Sequence, residues 1–472
     1  MTMSALEALE KAFYPKSIAV IGASRNPEKL GYKIVQAVIQ GGFKGKVYPI
    51  NISGGRVLGL EIYRNISEIP SGVDLALIAI PADLVPEAVK DCGERGIKCA
   101  VVFSAGFGEI RNGIKLEQEL INVAINYNVR IIGPNTNGIL NLNNNLNATF
   151  TPNLNYKKGN VTFVCQSGGY SSVLLRYGSD EGVGFSKVIN LGNSCDIGFA
   201  DAIEYLATDK FTKVIVLYME GFKHKNEGRK FYEVAKKVTK IKPIVAFKVG
   251  RTKAGTRAVL SHTGSLAGLD ELYSSAFKQA GVIRASDGIE MIDIAKALSL
   301  QQKLPRGKEV AIITNLGGPG VVAADICESH GVVISELSEA TKGKLSKILS
   351  FTASYANPID LAADWPNLHV YKEVLSAVLE DERINGVLIV VYLLPQSKYR
   401  ILIKDISTIS KIHGKPIVAC CLSSDKATAL ECIDELENHN IPSYKMPENA
   451  AKAIIGLVKY STYLRGYASY IK

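Results

Sequence analysis

Short runs of Val, Ile, Leu and Ala alternate along the whole chain with segments of helix length. Runs that are apolar at every position belong to strands covered on both faces. Such strands are parallel, because a helix must carry the chain back between them. The first set of runs covers 17–21, 46–50, 75–80, 100–103 and 129–132, and each stops in a turn rich in Gly, Pro, Ala, Asn or Ser. A polar stretch, 141–158, then interrupts the pattern with Asn143-Asn144-Asn145 and Pro152, just ahead of Gly159, and reads as a linker. The second set covers 161–165, 186–190, 213–219 and 243–248. The third follows Pro305-Arg306-Gly307 and covers 310–314, 331–335, 386–393 and 416–420. The pattern predicts an α/β protein of three units, 1–142, 155–304 and 305–472, which suits 472 residues at about 150 per domain. Residues 1–16 read as a short amphipathic helix (Leu6, Leu9, Phe13) carrying Glu7 and Glu10, without the apolar core of a signal peptide. No apolar run approaches the roughly 20 residues that span a bilayer, so a cytoplasmic protein with no membrane partner is expected.

The second and third sets read as a diverged duplication. Val161-Thr-Phe-Val-Cys-Gln-Ser-Gly-Gly and Val310-Ala-Ile-Ile-Thr-Asn-Leu-Gly-Gly both run from a buried strand into a glycine pair that opens a helix. Lys213-Val-Ile-Val-Leu-Tyr parallels Gly386-Val-Leu-Ile-Val-Val-Tyr, and Lys242-Pro-Ile-Val-Ala recurs as Lys415-Pro-Ile-Val-Ala. Convergence of two parallel sheets accounts for one such match more easily than for three in the same order. The copies part after the tyrosine, where Met219-Glu220-Gly221 faces Leu393-Leu394-Pro395. A carboxylate at the C-terminal end of a parallel strand sits where α/β sheets bind ligands. Only the first copy continues into Ser261-His262-Thr263-Gly264-Ser265-Leu266-Ala267-Gly268. Chemistry is therefore expected mainly in the first copy, with the second as a wall.

Several turns suit phosphate. In Ile21-Gly22-Ala23-Ser24-Arg25-Asn26-Pro27 a glycine after a buried strand permits close approach, and the helix that follows offers free N–H groups. The spacing is not G-x-G-x-x-G, and Asn51 stands where dinucleotide folds place an acid for the ribose, so a nucleotide-like ligand is expected and NAD is not. Ile80-Pro81-Ala82, Ser104-Ala105-Gly106-Phe107-Gly108 and Gly133-Pro134-Asn135-Thr136-Asn137-Gly138 follow other strands of that sheet and line the same edge. Ordinary turn chemistry accounts for the same residues. Gln166-Ser167-Gly168-Gly169 and Asn315-Leu316-Gly317-Gly318-Pro319-Gly320 open two helices, each with roughly half a positive charge at its start. Ser167 lacks the first glycine of a hydrolase nucleophile elbow.

His262 is one of six histidines, with small, hydroxylated neighbours. It reads as an accessible loop imidazole, either a nucleophile and proton carrier or a turn residue bonded to its own backbone. With Glu220 accepting the proton on the other ring nitrogen, the set suits phosphoryl transfer through histidine; a salt bridge to a lysine is the bland alternative for Glu220. The eight cysteines show no metal spacing and read as reduced core residues. A net charge of +10 points to an anionic partner. The lysines are scattered without interleaved aromatics, which favours phosphate-bearing small molecules over nucleic acid.

These motifs together resemble the α subunit of an ADP-forming acetyl-CoA (acyl-CoA) synthetase of the succinyl-CoA synthetase superfamily. The resemblance covers nearly the whole chain and includes Leu217-Tyr-Met-Glu-Gly, Gly250-Arg-Thr-Lys-Ala-Gly and Asn357-Pro-Ile-Asp-Leu-Ala-Ala-Asp. It implies an N-terminal Rossmann-like CoA-binding domain followed by two flavodoxin-like α/β domains. It implies that Gly22, Ala23, Ser24, Arg25, Ile80, Pro81, Ala82, Ser104, Ala105, Gly106 and Asn135 hold coenzyme A. Ser167, Gly168, Gly169, Gly317, Gly318 and Gly320 would hold the phosphoryl group. Acyl phosphate, made from acyl-CoA and phosphate, would phosphorylate His262, steadied by Glu220. The loop would then deliver the group to ADP, bound with Mg on an ATP-grasp β subunit. No segment here has ATP-grasp size, so that subunit is expected as a separate chain in an α2β2 assembly, and no metal is expected in this one. The other ligands implied are a small carboxylic acid, CoA and phosphate. Two departures stand out. Asn51-Ile52-Ser53-Gly54-Gly55-Arg56 lacks the lysine that relatives place before the glycines, with Arg25 or Arg56 as candidate substitutes. Thr136 stands where many relatives have cysteine. The altered stretch leaves a second reading open, a non-catalytic CoA- or acyl-CoA-binding subunit.

Overall fold

The computed structural model describes residues 3–263, 269–364, 368–394 and 399–471. They form two compact units, Met1–Gly288 and Ile289–Lys472.

The first unit carries a five-stranded parallel sheet in the order Lys46–Ile50, Ser17–Ile21, Leu75–Ile78, Cys99–Val102, Arg130–Ile132. Its second sheet runs Ile283–Arg284, Ile244–Lys248, Val214–Met219, Lys158–Cys165, Phe185–Asn190, Gly138–Asn141, Leu146–Thr149. The first five strands of that sheet are parallel, and the last two add an antiparallel edge. This edge corrects the linker expected over 141–158. The residues look polar, but the hairpin hides its polar atoms. Asn141 is fully buried and its Nδ2 donates to the Phe13 carbonyl at 3.0 Å. Thr149 Oγ1 donates to Asn147 Oδ1 at 2.7 Å, and Asn145 turns the chain with φ 61°. A strand whose inward side chains bond to backbone and to one another leaves no apolar alternation to read.

The helix Ala5–Phe13 begins on a reciprocal cap, in which Ser4 Oγ accepts the Glu7 N–H and the Glu7 carboxylate accepts the Ser4 N–H. Its Ala8, Leu9, Ala12 and Phe13 join one apolar cluster with Val20 and Val101 of the first sheet and Val164, Ile189 and Leu217 of the second. The two sheets of this unit thus share a core across the helix.

In the second unit the parallel order is Val333–Ile334, Glu309–Thr314, Gly386–Leu393, Ile417–Ser423, Ser443–Tyr444, with Ile359–Asp360 also beside Glu309–Thr314. Matching strand to strand, this is the order of the parallel part of the preceding sheet, as a duplication requires. The helix Gly288–Leu300, expected within the 155–304 unit, packs instead with the second unit. Its Lys296 is buried, donates to the Ser443 carbonyl at 2.6 Å and pairs with Glu437, and its Ile294 fills the space over Gly456.

Lys187 is fully buried in the strand Phe185–Asn190, 2.7 Å from Asp209 and 5.4 Å from the centre of the Tyr14 ring. Removing one partner of a buried pair strands the other charge. Lys187→Met is expected to lower unfolding free energy by about 3–5 kcal/mol, measured by denaturant titration. A loss well below that would contradict a closed pair.

Candidate active site

Four turns line the C-terminal edge of the first sheet and touch in sequence. Gly22 has φ +94° and lies so near the neighbouring strand that a Cβ there would stand 2.2 Å from the Ala79 carbonyl oxygen. The Gly22 and Ala23 amides donate to the Ile50 carbonyl at 2.9 and 3.1 Å, and Asn51 Nδ2 donates to the Ala23 carbonyl at 2.7 Å. Asn51 therefore holds the glycine turn itself. Ser104 Oγ donates to the Ile80 carbonyl, and the Asn135 amide to the Ser104 carbonyl at 2.9 Å. Gly106, at φ +111°, faces Ala82. The structure thus gathers Gly22, Ala23, Ser24, Ile80, Pro81, Ala82, Ser104, Ala105, Gly106 and Asn135 along one edge. Arg25 is exposed and runs against Gly55, while Arg56 donates to the Gly59 carbonyl of its own hairpin.

Carboxylates missed at the sequence level tie this edge to the second sheet. Glu109 accepts the Gly106 and Phe107 amides and the side chain of Asn193. Burial works to raise the Glu109 pKa, but these bonds outweigh it and hold the carboxyl below its usual range. Glu117 accepts the Gly108 amide at 3.1 Å and Asn193 Nδ2 at 3.1 Å, and pairs with Lys223. Asn193 is fully buried, and Lys223 belongs to the loop that begins at Glu220. Nothing in the spacing of these residues announces the contact, because they come from segments far apart in sequence.

At the edge of the second sheet, Gln166 follows the strand Lys158–Cys165 and reaches the end of its neighbour Val214–Met219. Its Oε1 accepts the amides of Glu220 at 2.6 Å and Gly221 at 3.1 Å, and its Nε2 donates to the Gly221 carbonyl at 2.9 Å. Glu220 is 3% exposed. Beside it, the helix Gly168–Asp180 starts at Ser167, whose side chain makes no capping bond. Gly168 lies against Asn137, where a Cβ would stand 2.3 Å from Oδ1, and Gly169 faces open space. In the second unit Asn315 repeats the clamp, accepting the Tyr392 amide at 2.8 Å and donating to its carbonyl at 3.0 Å. There the helix Gly317–Ser329 opens with Gly317 near the Asp360 carboxylate and with Gly320 pressed on Thr314.

Lys248 ends the strand next to that of Glu220, in register with Met219. Its Nζ donates to the Val249 carbonyl and lies 4.6 Å from the centre of the Tyr273 ring. Burial pushes its pKa down to about 8, against the opposing pull of Asp270 and Glu220. Past Gly250 the helix Lys253–Thr263 begins, with Thr252 Oγ1 accepting the Gly255 amide. This corrects the open loop expected at His262: Ser261, His262 and Thr263 form the last residues of a helix. Ala254, Arg257, Ala258 and Leu260 are good helix formers, and they carry it that far. The rest of the octapeptide, residues 264–268, lies outside the described residues. Among the described residues, no group of three or more His, Cys, Asp or Glu side chains is placed to hold a metal ion. No helix of the described residues is long and apolar enough to cross a membrane. All eight cysteines are buried and unpaired.

Gln166→Leu leaves two amides and a carbonyl without partners, and unpaired buried groups cost roughly 1–3 kcal/mol. Hydrogen exchange at Glu220 and Gly221 is expected to accelerate while that of Val214–Met219 changes little; unaltered protection would contradict the clamp. For Lys248 the folded pKa near 8 lies below the ordinary 10.5, so the unfolded chain binds more protons between those values. Stability then rises with pH across that window. Lys248→Met is expected to abolish the rise in denaturation midpoints measured from pH 7.5 upward, and parallel curves for the two proteins would refute it.

Residues 16–141 match the CoA binding domain family, 158–298 the succinyl-CoA ligase like flavodoxin domain and 310–468 the ligase-CoA domain. The α subunit of acetate–CoA ligase [ADP-forming] II of Pyrococcus furiosus is 41% identical, covering 97% of this chain and 99% of its own. The α subunit of form I from the same organism is 40% identical, with 96% and 98% covered. Among solved structures, a dinucleotide-forming acetyl-coenzyme A synthetase 1 of Ca. Korarchaeum cryptofilum, in complex with phosphate and ADP, superposes with a TM-score of 0.88. It is 36% identical, with 97% of this chain and 98% of that one covered. With that likeness over its full length, the chain belongs to the family of ADP-forming acetate–CoA ligase α subunits.

Proposed function

We propose that this chain is the catalytic α subunit of an ADP-forming acyl-CoA synthetase. Acyl-CoA, phosphate and ADP give acid, CoA and ATP. Phosphate oxygen attacks the thioester carbonyl, the C–S bond breaks, and acyl phosphate and free CoA result. A ring nitrogen of His262 then takes the phosphoryl group, the carboxylate leaves, and phosphohistidine passes the group to ADP. Glu220 accepts the proton on the other ring nitrogen, fixing the tautomer and offsetting the charge of the product.

One observation carries this reading. A buried carboxylate, Glu220, is clamped at a strand end in the same unit as the CoA-side turns, beside an uncapped helix start. The Gly168-Gly169 amides suit a phosphoryl group in flight, whereas the start at Gly317, Gly318 and Gly320 in the second unit stands beside the Asp360 carboxylate. Arg25, exposed beside the Gly22 turn, takes the place of the absent lysine toward a CoA phosphate. ADP and its Mg belong to an ATP-grasp β subunit, encoded as a separate chain, in an α2β2 assembly in the cytoplasm.

The test uses the full chain with acetyl-CoA and labelled phosphate. An acid-labile, base-stable label is expected, and it disappears in His262→Ala. Glu220→Gln is expected to form it roughly 100-fold more slowly, as for loss of a positioned proton acceptor. A label that survives in His262→Ala removes that residue from its role. A wild-type chain that binds CoA and takes no label restores the non-catalytic binding subunit.

A further inference from the structure

We propose that the carbon chain of the acid occupies a small chamber beside the start of the helix Gly168–Asp180, and that Leu154 and Tyr156 set the size of acid accepted. This rests on the reading above, in which acyl phosphate forms at that helix start.

The chamber has a volume of about 30 Å³ and is bounded on its apolar side by Leu140, Leu154, Tyr156, Cys165, Leu175 and Val188. Asn137, on the last of the CoA-side turns, and Gly168, at the helix start, both line it. That is where a thioester from one side and a phosphate from the other would meet. Space of this size holds roughly two water-sized groups, so it takes the methyl of acetate, or one carbon more.

Several polar groups around the chamber are already engaged. Ser171 Oγ and Ser172 Oγ donate back to the Ser167 and Gly168 carbonyls. Asn190 Nδ2 donates to Cys165 Sγ, and its Oδ1 accepts Thr136 Oγ1 and the Asn137 amide. Among the described residues, no charged side chain lines the space. A second carboxylate or a sulfonate on the substrate would be desolvated there without a cation, which strongly disfavours it. The chamber therefore selects uncharged chains.

Its far wall is thin. Leu140, Leu154 and Tyr156 also line a neighbouring cavity of about 270 Å³, roomy enough for an aromatic ring. Leu140 belongs to a strand, but Leu154 and Tyr156 lie in the irregular stretch between Thr149 and Lys158. Along that stretch Leu154 and Tyr156 turn inward while Asn153, Asn155 and Lys157 are exposed. Tyr156 leans edge-on against Phe185, with ring centres 6.5 Å apart. The partition is therefore carried by two side chains outside the sheet ladder, and truncating them joins the chambers without breaking a strand.

The experiment measures phosphoenzyme formation by the full chain from labelled phosphate with acetyl-, propionyl-, phenylacetyl- and succinyl-CoA. The wild-type chain is expected to favour acetyl- over phenylacetyl-CoA by about 100-fold or more in kcat/KM, within the range a hydrophobic pocket achieves. Succinyl-CoA is expected to be poor throughout. Tyr156→Ala, and Leu154→Ala with it, is expected to narrow the acetyl-to-phenylacetyl ratio about 10-fold or more. Leu154→Trp, which fills space instead of opening it, is expected to depress propionyl- relative to acetyl-CoA. The proposal is overturned if the wild-type chain accepts phenylacetyl- or succinyl-CoA as readily as acetyl-CoA. It is equally overturned if folded Tyr156→Ala and Leu154→Trp proteins keep the wild-type ratios. Absence of label with every thioester overturns the phosphohistidine reading, and the chamber's role with it.

Discussion

A parallel sheet has a weak point at the C-terminal ends of its strands, where the ladder stops and backbone groups face the site unpaired. In this protein one carboxamide closes that point. Gln166 takes both amides of Glu220-Gly221 and returns a hydrogen bond to the Gly221 carbonyl. The clamp extends the pairing of two neighbouring strands beyond their last ladder residues, Cys165 and Tyr218. It fixes where the buried Glu220 carboxylate begins, and it fixes the turn into Ser167 from which the helix Gly168–Asp180 departs. The acid and the helix start therefore share one support, and neither can shift without the other.

The corresponding strands of the second unit keep part of this arrangement and change the rest. Asn315 makes the same pair of bonds to Tyr392 in a sheet of the same strand order. The side chain is one methylene shorter and reaches one residue rather than two. Beyond the clamp the surroundings diverge. Gly168 abuts the neutral Asn137, whereas Gly317 abuts the carboxylate of Asp360. A negative charge beside a helix start occupies the position that favours an anion. The uncharged start lies in the unit that also holds Glu220, so the features suited to an anion stand together in the first unit.

What the chain revealed in advance follows from which face each residue buries. The runs at 17–21, 161–165, 213–219 and 310–314 are strands because both faces are covered, which leaves uninterrupted apolar sequence. The glycine turns were legible because a close approach leaves glycine as the fitting residue, as at Gly22 against Ala79. The hairpin Gly138–Asn141 with Leu146–Thr149 was not, since asparagines and threonines that satisfy one another inside a protein look like a solvated linker. Glu109, Glu117, Asn193 and Lys223 were equally silent, for their meaning lies in contacts across more than 70 positions. Gln166 stands in the motif Gln166-Ser167-Gly168-Gly169, where the glycines carry the visible signal. The length of a carboxamide carries information only once the strand opposite is known.

The silent residues bear on how the two halves of the reaction are joined. In the reaction proposed above, CoA-side chemistry would sit on the Ser104–Gly108 turn, and phosphoryl chemistry on the loop after Met219. Glu109 and Glu117 hold the first by its amides, and Glu117 grips the second through Lys223. Asn193 sits between the two carboxylates and bonds to both. Buried charges of this kind contribute little net stability, because desolvation offsets most of their attraction. They are demanding about geometry, since a displaced partner leaves a charge in the interior. A cluster that is costly when misaligned and nearly neutral when aligned serves to fix distance. Here it fixes the separation between the turn that would present a thioester and the loop that would receive a phosphoryl group, a distance that transfer by direct contact cannot let drift.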